Sequence, residues 1–164
     1  NYASLGLGLD EVAFRVNKQL CYKNEEGMFV TAFICVLNLE TNEMKYINAG
    51  HNPPFLMKNG EEFVMMKPKA NLVFGMMEDV PYLEQSVMLE KGDVIYLYTD
   101  GVTEALNAEN ELFGEEHLAQ VLNHYIDTID CSDAFMKHIY DEVDAFADGV
   151  SQADDITMVC LSRK

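Results

Sequence analysis

The chain has 164 residues, 49% of them apolar and 10% aromatic, with 28 acidic against 11 basic side chains and a net charge of −17. So much apolar material excludes a disordered chain, the length suits one domain, and no apolar run approaches the roughly 18 residues that a membrane-spanning helix needs. A grip on nucleic acid is disfavoured, because phosphate contacts depend on clustered Lys and Arg.

From Leu9 to Leu20 the apolar residues Leu9, Val12, Ala13, Val16 and Leu20 recur at threes and fours, which predicts an amphipathic helix. Residues 28–37 are a continuous β-branched and aromatic run, expected to be a strand buried on both sides. Residues 43–49 alternate polar and apolar and should pair antiparallel with it. Phe55-Leu56-Met57 and Phe63-Val64-Met65-Met66 flank Asn59-Gly60, the dipeptide of tight type I′ turns, so a hairpin is expected there. Glu90-Lys91-Gly92 gives a second hairpin signal, between 86–89 and 93–98. Beyond residue 110 the period lengthens to nearly four. Leu118, Val121, Leu122, Tyr125 and Ile126 line one helical face and Phe135, Ile139, Val143 and Phe146 another, with Ser132 placed to cap the second helix. Residues 156–161 return to strand. Strand runs and helix runs segregated in this way predict an α+β domain of stacked antiparallel sheets with helices outside.

The acidic side chains are unevenly spread. Residues 1–91 carry 8 bases and 12 acids, whereas 92–162 carry Lys137 alone against 16 acids. A solvated acidic face and a site that gathers divalent cations both fit this distribution. Cys21, Cys35, Cys131 and Cys160 lack C-x-x-C spacing and read as reduced core thiols of a cytoplasmic protein. The chain opens at Asn1 without a signal sequence and is expected to be a piece of something longer.

Asp100-Gly101 follows one predicted strand and Asp154-Asp155 precedes another. Carboxylates on strand ends are what a hard cation such as Mg²⁺ or Mn²⁺ requires, and Gly101 lets the backbone approach closely. Taken singly, each pair also fits an ordinary turn or solvated loop. The words Met28-Phe29-Val30-Thr31-Ala32-Phe33, Asn48-Ala49-Gly50-His51-Asn52-Pro53-Pro54, Tyr98-Thr99-Asp100-Gly101-Val102-Thr103-Glu104-Ala105, Leu112-Phe113-Gly114 and Asp154-Asp155-Ile156-Thr157 occur in a distinctive order. In that order and spacing the chain resembles the bacterial protein phosphatases of the stage II sporulation protein E type, the prokaryotic branch of the type 2C metal-dependent Ser/Thr phosphatases.

The resemblance implies a four-layer α-β-β-α sandwich of antiparallel sheets flanked by helices, here without its N-terminal strands, making residues 1–164 a single, truncated phosphatase domain. It implies two Mn²⁺ or Mg²⁺ ions and a metal-activated water that hydrolyses phosphoserine or phosphothreonine with no phospho-enzyme, and it assigns no side chain as the catalytic group. Asp100, Gly101 and Asp154 match metal-binding positions; Asp155, His51 and Thr99 fall at the rim of the site. The implied substrate is a phosphorylated regulatory protein, such as an anti-sigma-factor antagonist, and the implied location is cytoplasmic, in a parent that can be membrane-anchored. The family's two earlier acidic motifs do not occur in this sequence, so the chain is expected to hold an incomplete metal centre, to be inactive alone, and to form homodimers through exposed strand edges. The competing readings are a non-catalytic pseudophosphatase, an acidic interaction module, and a simple divalent-ion buffer.

Overall fold

The computed structural model describes residues 6–129 and 133–163. They fall into two compact units, one drawn from Asn1–His51 and Lys67–Leu89, the other from Asn52–Met66 and Glu90–Lys164.

In the first unit, helix α1 (Leu9–Cys21) packs against an antiparallel sheet of β1 (Ala32–Leu37), β2 (Glu43–Ala49) and β5 (Gln85–Met88), in the order β1-β2-β5. The expected pairing of β1 with β2 is present, with Ile34 opposite Ile47 and Leu37 opposite Met44. Ala13, Ile47, Ala49, Phe74 and Tyr82 form the core of this unit. Asn17, on the buried face of α1, is not an isolated polar group. Its side chain accepts the Gly75 N–H at 2.9 Å and donates to the Met77 carbonyl at 2.8 Å, strapping the 75–77 segment to the helix.

The strand expected to be buried on both sides is instead an edge strand. It begins at Ala32, Phe29 is 56% exposed ahead of it, and Val36 within it is 57% exposed. An unbroken apolar run marks a strand but does not say whether both sides of that strand are paired.

The second unit holds an antiparallel sheet in the order β4-β3-β6-β7, formed by β3 (Phe55–Met57), β4 (Phe63–Met65), β6 (Val94–Tyr98) and β7 (Met158–Ser162). Its helices are α2 (Asp100–Thr103), α3 (Gly114–His124) and α4 (Asp133–Ala147). The apolar faces read from the sequence are the buried ones: Leu118, Val121 and Leu122 on α3, and Phe135, Ile139 and Val143 on α4, join Phe55, Tyr96 and Tyr98 in one core. Tyr125 and Ile126, expected on α3, follow its end, and Ile126 opens a short 3-10 turn. The capping role expected of Ser132 lies outside the described residues.

The β3–β4 hairpin forms as expected. Asn59 and Gly60 have φ of 51° and 75°, and the Glu61 N–H closes the turn on the Lys58 carbonyl at 2.8 Å. The hairpin expected around residues 90–92 does not form, because β5 pairs with β2 while β6 pairs with β3 and β7. Asp93 supplies the physical reason. Its buried carboxylate accepts the Glu90 N–H at 2.8 Å, the Asn59 N–H at 3.1 Å and the Lys58 ammonium at 2.5 Å, tying the chain after β5 to the β3–β4 turn. Burial alone would raise this carboxyl; Lys58 and the two N–H groups outweigh it and hold it below the usual carboxylate range. The expectation of four reduced core thiols is corrected as well: Cys160 is disulfide-bonded and Cys35 is exposed.

Candidate metal centre

Strand β6 ends at Tyr98, and Thr99 stays extended, with φ −92° and ψ 163°, before the chain turns into α2. Asp100 is therefore the first residue of a single helical turn rather than a loop residue. The Asp100 carbonyl accepts the Glu104 N–H at 2.7 Å, and its exposed carboxylate accepts the Gly101 N–H at 3.1 Å.

Asp154 and Asp155 lie in the loop that enters β7, which starts at Met158, two residues later than the sequence predicts. Both are exposed. The Asp154 carboxylate accepts the Asp155 N–H at 2.7 Å, and the Gln152 side-chain amide donates to the Asp154 carbonyl.

The two acidic words meet through Gly101. A Cβ on this buried residue would stand 2.6 Å from the Asp155 carbonyl oxygen and 2.9 Å from that of Asp154, so only glycine fits between them. Thr99 holds the same loop: its hydroxyl accepts the Thr157 N–H and donates to the Asp155 carbonyl, both at 2.9 Å. Asp100, Gly101, Asp154, Asp155 and Thr99 are thus one cluster. Thr157 and Gln152 belong to it too and were not singled out in the sequence. Neither leaves a periodic signal in the sequence; Thr157 stands there only as the last residue of the Asp154-Asp155-Ile156-Thr157 word.

His51 belongs to the other compact unit, just beyond β2. The Asn48 side chain accepts its N–H and donates to its carbonyl, both at 2.8 Å, closing the loop over residues 48–51.

Carboxylates and carbonyl oxygens beside a side-chain-free backbone make a hard-oxygen donor set, suited to Mg²⁺ or Mn²⁺ rather than to a soft metal. Among the described residues, no three His, Cys, Asp or Glu are grouped so as to hold a metal ion. The surroundings are strongly acidic, since the unit containing this cluster carries 19 acidic residues against 5 basic ones.

A family model described as stage II sporulation protein E (SpoIIE) matches residues 1–164. The chain is 30% identical over 161 residues to the phosphoserine phosphatase RsbU of Bacillus subtilis, covering 97% of this chain and 46% of that protein. It spans less than half the length of the curated relatives it matches. Among solved structures, the SiaA-PP2C domain of Pseudomonas aeruginosa superposes with a TM-score of 0.80 at 16% identity, over 94% of this chain and 61% of that one. The catalytic domain of the serine/threonine protein phosphatase PstP, in complex with two manganese ions, gives 0.63 at 16% identity, over 93% and 68%. The expected α+β class with two antiparallel sheets is therefore the type 2C phosphatase fold.

Proposed function

The chain belongs to the stage II sporulation protein E family, and from that premise we infer that it is the C-terminal part of a divalent-metal-dependent protein phosphatase domain acting on phosphoserine or phosphothreonine. The observation that carries this reading is the fit of Gly101 against the Asp154–Asp155 backbone, which sets two acidic words side by side at the end of β6. In this reading Asp100, the Gly101 carbonyl and Asp154 are the chain's share of the ligands for two Mn²⁺ or Mg²⁺ ions. When bound, such cations lower the pKa of a shared water and neutralise charge on the phosphoryl oxygens. The chain's own part is positional: α2 fixes Asp100, Gly101 admits the loop, and Thr99 holds it.

The substrate is a phosphorylated regulatory protein, by analogy with RsbU, and the setting is cytoplasmic. The uncharged free edge of β1 makes a homodimer the expected state of the chain on its own. Phosphate release from a phosphoserine protein with Mn²⁺ tests the reading. The chain alone should release little, because the family's first two acidic motifs are not in its sequence. In a protein that carries them, Asp100→Asn should lower the rate at least about 100-fold, beyond the 10- to 100-fold that losing a ligand's supporting partner costs. Strong Mn²⁺-dependent release by the chain, unchanged by Asp100→Asn, would overturn both the site and the inactivity.

A further inference from the structure

We propose that Thr99 is a positioning residue that holds the Asp154 loop against Gly101, next to Asp100, and so sets how tightly this end of the sheet holds a divalent cation; the proposal rests on the metal centre inferred above. The β6–β7 ladder ends at the pair Tyr98–Met158. Residues 154–157 lie beyond it, and a side chain takes over where the ladder stops. The Thr99 hydroxyl accepts the Thr157 N–H at 2.9 Å and donates to the Asp155 carbonyl at 2.9 Å, while the Thr99 N–H donates to the Thr157 carbonyl at 3.0 Å. One hydroxyl both accepts and donates, which valine of the same shape cannot do and serine can. Held this way, the Asp155 carbonyl lies against Gly101, and Asp154 is carried with it. Thr99 acts through the loop and touches neither cation nor phosphate.

The backbone groups it satisfies are solvent-exposed, so removing the hydroxyl loosens the loop without leaving a buried group unpaired. Amide exchange and Mn²⁺-induced broadening of amide signals, read by NMR on the 164-residue chain, separate the possibilities. Thr99→Val should exchange the Thr157 N–H about tenfold faster and should need about five- to tenfold more Mn²⁺ to broaden the Gly101 and Asp155 amides, the scale of one hydrogen bond. Thr99→Ser should restore both. If Thr99→Val fails to fold, Thr99→Ala, which adds no methyl group, replaces it. Faster exchange with an unchanged Mn²⁺ dependence would overturn the positioning role and leave a structural clasp. Unchanged exchange would overturn the clasp itself. Absence of broadening in the unaltered chain at millimolar Mn²⁺ would overturn the cation site assigned to this chain's own residues, and with it the role of Thr99 toward the cation, whatever the exchange rates.

Discussion

At Gly101 the absence of a side chain is a geometric requirement that hydrogen would meet and a methyl group would not. Gly101→Ala places a carbon within 2.6–2.9 Å of two backbone oxygens, which cannot swing aside as a flexible side chain would. The loop must move. We expect a loss of about 1–3 kcal/mol of stability, the usual cost of overpacking, together with weakened Mn²⁺ binding, measured by denaturant unfolding and by Mn²⁺ titration. Unchanged stability would mean that the loop is not seated on residue 101. Asp100, Gly101 and Asp154 stand out in the sequence as candidates only because they sit inside long matching words; alone, each pair is an ordinary turn. The pairing of Thr99 with Thr157 was not legible, since a single polar residue past a strand end leaves no periodic trace.

Edge strands differ in how they are guarded. On the outer side of β4 the Asn123 carboxamide, reaching from α3, accepts the Phe63 N–H at 2.7 Å and donates to the Phe63 carbonyl at 3.4 Å, standing in for a neighbouring strand. The edge strand β1 is six residues without a charge. If copies of the chain associate through β1, a charge there should keep them apart. Val36→Glu places a carboxylate opposite Lys45, which keeps the cost to stability below about 1 kcal/mol. Sedimentation should then show a shift toward monomer, whereas Asn123→Ala, which uncovers β4, should shift the balance the other way. A monomer in all three forms would remove the β1 interface. Elements with a strong period were legible here, as α1, α3, α4 and the Asn59-Gly60 hairpin show. Strand neighbours were not, because pairing is decided by long-range contacts: β5 and β6, close in sequence, join different sheets once Asp93 pins the intervening chain to the β3–β4 turn.

The whole molecule carries −17, and most of the excess lies in the unit of Asn52–Met66 and Glu90–Lys164. Self-repulsion on that scale opposes the compact state and is screened over about 10 Å at 0.1 M salt. Raising NaCl from about 0.02 to 0.5 M should therefore raise the thermal midpoint by a few degrees, equivalent to about 1 kcal/mol for a chain of this size. Calorimetry across that range decides it; a flat or falling midpoint would mean that the acidic residues are already offset within the fold.

The interleaving of the two units also bears on synthesis. β3 and β4 can pair once Met65 has left the ribosome, but β6, the other partner of β3, follows β5, the last strand of the first sheet, in the chain. In that interval one side of the hairpin waits for β6, and the other waits for Asn123, which is translated later still. A nascent chain paused between Met65 and Val94 offers unpaired backbone on both sides of a single hairpin, a template for mispairing during synthesis.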